Sequence, residues 1–89
     1  MMYYTYILYS LKDHQWYTGY TNDIKRRLSE HLKGKVQSTK HRRPLKLIYF
    51  ESCITELDAK RREKYLKSGN GKKYILNRLK YYFQNMDKK

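Results

Sequence analysis

Cysteine and proline each occur once in the 89-residue chain, and glycine four times. The single thiol, Cys53, rules out an internal disulfide and a cysteine-built zinc cage. It reads as a small core residue in a reducing compartment. No linker, low-complexity tract or repeat divides the chain, so one domain over 1–84 with a basic tail at 85–89 is expected. Long apolar runs are missing too, and none approaches the ~20 residues that span a bilayer. The opening "MMYYTYILYS" has no basic start, and tyrosines interrupt its apolar core. It is a poor signal peptide, and a cytoplasmic location is expected. Acids are scarce: 8, against 21 lysines and arginines, for a net charge of +13.

That excess costs self-repulsion in the compact state. Solubility alone needs a net charge of only ~2–8. The surplus therefore points to a polyanion, with nucleic acid the leading candidate. Membrane-surface binding has no dedicated helix to support it, so no membrane partner is expected. A chain this short buries only ~60–65% of its unfolded surface, so the core is modest.

What is abundant is tyrosine, eleven in all. "YYTYILY", 3–9, is aromatic and β-branched throughout and reads as a central strand. A polar turn leads to "WYTGY", 16–20, a second strand antiparallel to the first. Thr21 or Asn22 is the expected cap of a helix over 23–33, with Asp23 in its first turn. Ile24, Leu28 and Leu32 form its apolar stripe, and Gly34 ends it. A basic loop, "KVQSTKHRRP", precedes a third strand at 45–52. "TELD", 55–58, resembles a capping box and opens a helix to about Lys67. "SGNG", 68–71, reads as a stop and turn, and a last helix is expected over 72–84 with Ile75, Leu79, Tyr82 and Phe83 on one face. The order β-β-α-β-α-α predicts an α+β domain, a three-stranded, mainly antiparallel sheet flanked by helices.

Tyr6 lies in "YTY" and Tyr17 in "YTG". Arg27 follows ten residues after Tyr17, His31 one helical turn later, and Glu63 falls within "KRREKYLKSG". This set, in this order, resembles the GIY-YIG nuclease superfamily over nearly the whole chain. It is most similar to the small single-domain members, which also carry a Ser-Thr-Lys loop, an Arg-Pro before the third strand and an "RREK" helix. The resemblance implies that Tyr6, Tyr17, Arg27, His31 and Glu63 are catalytic residues. It also implies that Glu63 holds a divalent metal, Mg²⁺ or Mn²⁺. Tyr4 stands where the family has its first signature glycine, and Thr5 and Thr18 where it has isoleucine. Threonine keeps the branched shape a strand favours. The family's late asparagine has no clear match, Asn77 being a loose one.

The residues can be weighed on their own chemistry. Hydrolysing a phosphodiester needs an activated water, charge stabilisation on the phosphoryl oxygens and help for the leaving oxygen. Tyr17 is a base only if positive charge lowers a pKa that is ~10 in the free side chain. Arg27 and His31, at i and i+4, share a helix face at the border of core and solvent. Arginine there can fork onto phosphate, and a histidine titrates near neutral pH. Ala59, Glu63 and Leu66 share one face of the next helix, so Glu63 points inward and needs a cation. Either a metal or an internal salt bridge to a strand-side cation would serve. Gly19 would let a phosphate approach the strand. Ser38, Thr39, Lys40, Arg42 and Arg43 read as phosphate contacts. "DAK", 58–60, mimics part of another nuclease motif but lies in a helix, and "NGKK" lacks the spacing of a phosphate-binding loop.

The expectation is a metal-dependent endonuclease acting on nucleic acid, DNA favoured over RNA, in repair or processing. The alternative is a catalytically silent nucleic-acid-binding module, for which Glu63 would be unnecessary. A partner role in a larger repair assembly is a third reading.

Overall fold

A computed structural model describes residues 1–87. The strands are β1 (Tyr3–Ser10), β2 (Trp16–Thr21) and β3 (Leu45–Cys53). The helices are α1 (Ile24–Leu32), α2 (Glu56–Leu66), α3 (Gly69–Arg78) and α4 (Lys80–Asp87), with a short 3₁₀ turn at Lys40–Arg42. The sheet order is β2-β1-β3, antiparallel throughout. β1, apolar on both faces, is central, as its composition predicts, and β2 lies at an edge.

Alternation along β1 sends its side chains into two cores. Tyr6 and Leu8 face α1, packing with Leu45, Leu47, Tyr17, Ile24 and Leu28. Ile7 faces the other way, onto Leu66, Ile75, Trp16 and Phe83. Between Ile7 and Leu8 the register with β3 slips, leaving Ile48 as the extra residue of a bulge. The Thr5 hydroxyl donates to the Ala59 carbonyl at 2.9 Å, tying α2 to β1.

Several local expectations are corrected. Asp23, not Thr21 or Asn22, caps α1, its carboxylate accepting from the Arg26 amide at 3.1 Å. Leu32 is 48% exposed, whereas His31 is fully buried. The helix turns its imidazole inward because that ring finds two hydrogen-bond partners there. Gly34 does end α1: its φ is +77°. The Gly34 and Lys35 amides donate back to the His31 and Glu30 carbonyls, closing a Schellman motif.

The "SGNG" segment is both a stop and a start. The Ser68 hydroxyl accepts from the Gly71 amide at 3.2 Å, and Gly69 already belongs to α3. A side chain at Gly71 would overlap the backbone of Tyr65 and Leu66, so its absence lets α3 begin against the last turn of α2. The expected last helix is two, parted at Leu79. Residues 85–87, expected in the tail, continue α4, and 88–89 lie outside the described residues. Cys53 is only half-buried.

Candidate active site

Tyr6 and Gly19 are cross-strand partners. A β-carbon on Gly19 would overlap the Tyr6 phenol. The missing side chain therefore makes room for Tyr6, and Gly19 is buried rather than open to a phosphate. Burial pushes the Tyr6 pKa up to about 12, with the charges of Tyr17 and Glu63 adding to the rise and the Arg27 guanidinium opposing it. Tyr6 therefore stays protonated near neutral pH.

The Tyr6 hydroxyl meets His31 Nε2 at 2.8 Å, and the other ring nitrogen, Nδ1, meets the Thr39 hydroxyl at 2.7 Å. Burial, and then the positive charge of Arg27, lower the His31 pKa to about 4. The expectation of a border histidine titrating near neutrality is thus corrected: His31 is a neutral link in a buried chain from Thr39 to Tyr6. Thr39 is fully buried as well, so it is no surface phosphate contact. Nothing in its loop's composition signals this, because a polar run reads as solvated.

Tyr17 is half-buried, and its ring centroid lies 5.1 Å from that of His31 and 6.3 Å from that of Tyr6. Arg27 is partly exposed on α1 and pairs with Glu30 at 3.1 Å. Burial lowers its pKa, but hydrogen bonding to Tyr6 and Glu30 outweighs that and leaves it raised. Glu63 comes from α2 on the opposite face, one-quarter exposed, and Lys67 holds it at 3.1 Å. The cation is therefore on the same helix and not, as expected, on a strand, a pairing that the Glu-to-Lys i,i+4 spacing could have signalled. Tyr6, Tyr17 and His31 are thus in ring contact, Arg27 reaches the Tyr6 phenol, and Glu63 stands near enough for its charge to act on Tyr6.

The basic loop divides. Arg42 donates to Asp13 at 2.7 Å and to the Trp16 carbonyl at 3.3 Å, so it clamps the β1–β2 turn instead of awaiting a phosphate. Arg42 in turn holds the Asp13 pKa down at about 2. The Arg43 guanidinium covers Gly34, with its Nε donating to the Lys40 carbonyl at 3.0 Å. Ser38 is exposed and Lys40 partly so, which leaves them accessible to a ligand.

Among the described residues no group of three His, Cys, Asp or Glu side chains converges. A closed cage for a transition metal is therefore absent there. One inward carboxylate suits Mg²⁺ or Mn²⁺, hard cations that retain much of their water. Glu63 would hold it, and the ion would supply positive charge for the leaving oxygen.

The chain belongs to the GIY-YIG catalytic domain family, whose model matches residues 2–75. Within it, the similar proteins are UPF0213 proteins. YazA of Bacillus subtilis is 46% identical over 63 residues, covering 70% of this chain and 64% of that protein, a little under two thirds of its length. A relative in Listeria welshimeri is 39% identical over 79 residues, covering 82% of this chain and 88% of its own. The solution NMR structure of a UPF0213 protein from Bacillus halodurans aligns with a TM-score of 0.54 and 36% identity. That alignment covers 86% of this chain and 84% of that one. The family points to nuclease chemistry on nucleic acid. No helix among the described residues is long and apolar enough to cross a membrane.

Proposed function

We propose that the chain is a metal-dependent endonuclease that hydrolyses phosphodiester bonds in nucleic acid, DNA in preference to RNA. The observation that carries this reading is the contact of Tyr17 with the Tyr6–His31 pair, beside Arg27. Binding alone calls for cations and stacking surfaces, not a buried phenol–imidazole–hydroxyl chain.

Tyr17 takes a proton from the attacking water. To do so it must hand on its own proton, and the Arg27 guanidinium lies close enough to interact with its charge. Arg27 also faces the phosphoryl oxygens. Tyr6, kept protonated, donates a hydrogen bond. Its O–H is free to donate when His31 Nε2 carries the hydrogen and Nδ1 accepts from Thr39. Ser38, Lys40 and Arg43 contact backbone phosphates. A place in repair or processing follows as the setting for such a cut.

The Glu63–Lys67 ion pair favours the alternative, a catalytically silent binding module, because it satisfies the carboxylate without a metal. One assay separates the two. Plasmid, single-stranded DNA and RNA are incubated with Mg²⁺ or Mn²⁺, and with chelator. Cleavage that chelator abolishes is expected, and Tyr17→Phe should lower the single-turnover rate ~10²–10⁴-fold while sparing affinity. Tight binding with no cut on any substrate would establish the silent module.

A further inference from the structure

A cleft of about 490 Å³ lies beside Tyr17, between β2 and the facing parts of α2 and α3. Trp16, Tyr17, Leu66, Lys67, Lys72 and Leu76 line it. Its walls combine aromatic and aliphatic side chains with the polar His14, Gln15 and Thr18, and two lysines supply its charge. Trp16 is held by a stacked contact with Phe83, centroids 5.4 Å apart. Leu76 is 48% exposed, an apolar side chain that folding leaves partly uncovered. Lys72 lies one turn before it on the same helix face. Lys67 belongs to the cleft and to the Glu63 pair, so the cleft and the candidate active site share a wall.

A duplex gripped by its backbone offers phosphates and sugars, which lysines satisfy without any apolar surface. Base faces are apolar, but in a duplex they are hidden by stacking. In a single strand they are free to pack on aromatic and aliphatic side chains. We propose that this cleft is a subsite for an unstacked nucleobase of a single strand, next to the phosphate that Tyr17 addresses. Its placement beside a scissile phosphate rests on the nuclease reading, whereas the binding does not.

Trp16 is the chain's only tryptophan, so its emission reports on the cleft. Three labelled ligands of equal length are compared in chelator: oligothymidine, an abasic sugar-phosphate strand, and a duplex. Anisotropy gives affinity, and red-edge excitation isolates Trp16 from the tyrosines. All three should bind through charge, but only oligothymidine should change Trp16 emission, with the midpoint seen by anisotropy. Leu76→Ser trims an exposed residue. It should weaken oligothymidine roughly fivefold, through loss of an aliphatic contact with the base face, with less than twofold change for the other two. Unaltered Trp16 emission at saturating oligothymidine overturns the subsite, as does an equal loss for the abasic strand in Leu76→Ser. The measurement is made without metal. A protein that never cuts therefore loses the nuclease reading and keeps the subsite, and one that cuts without a Trp16 response does the reverse.

Discussion

A histidine with no solvent contact answers to pH in the opposite sense from one gaining an acidic partner, and His31 is of the first kind. Unfolded, it takes up a proton near pH 6.5, whereas in the fold it does so only near 4. Between those values the unfolded chain alone is charged, so acid favours unfolding. The His31 contribution is whole above about pH 6.5, and up to about 3 kcal/mol is lost as the pH falls to 4. Denaturant midpoints at pH 7 and pH 4.5 should show this loss, and Asp13, with its pKa near 2, lies outside that window. A midpoint that does not move would mean that His31 is hydrated in solution. Glu63 allows a second test. Glu63→Gln keeps the shape and removes the charge that pairs with Lys67 and that a metal would need. Cleavage should collapse while binding of nucleic acid survives. A drop in thermal stability with cleavage intact would assign Glu63 to the ion pair alone. Motif spacing picked out Tyr17, Arg27 and Glu63 as candidates, and the neighbourhood of Arg27 and His31 was readable from their i,i+4 spacing. The burial of His31 was not, because its partner Thr39 sits eight residues on, in a loop whose polar composition conceals a buried hydroxyl.

At the scale of elements, the junction of α2 and α3 separates two glycines that look alike in sequence. A methyl group at Gly71 would collide with the backbone of Tyr65 and Leu66, while one at Gly69 meets nothing within 4 Å. Gly71→Ala should therefore lower stability by ~1–3 kcal/mol, the usual range for overpacking. Gly69→Ala should raise it by ~0.4–1 kcal/mol by restricting the unfolded chain. Urea midpoints of the two variants should move in opposite directions, and equal shifts would contradict the packing described. The strands were legible because β-branched and aromatic runs have few other uses. The ends of the helices were less so. Ile75, Leu79 and Phe83 recur every four residues through the break at Leu79, so periodicity alone cannot distinguish one helix from two.

For the whole molecule, charge sets the reach of binding. Each phosphate neutralised adds ~0.9 to the salt slope on duplex DNA, so Lys40→Ala should flatten it by about one contact. Arg42→Ala should instead leave the slope alone and weaken the fold, since Asp13 and Trp16 already occupy that guanidinium. Affinity indifferent to salt would detach the +13 charge from nucleic acid. The order β2-β1-β3 has one more consequence. β2, which carries Tyr17, has β1 on one side and, among the described residues, no strand on the other. Its outer main-chain amides and carbonyls, the Arg42-bound Trp16 carbonyl aside, are a template for any extended peptide, a second copy of the protein included. Mutual repulsion between like-charged copies guards that strip, and high salt removes the guard. Self-association through β2 would then bury Tyr17, so aggregation and the loss of any cleavage that depends on Tyr17 would arise together.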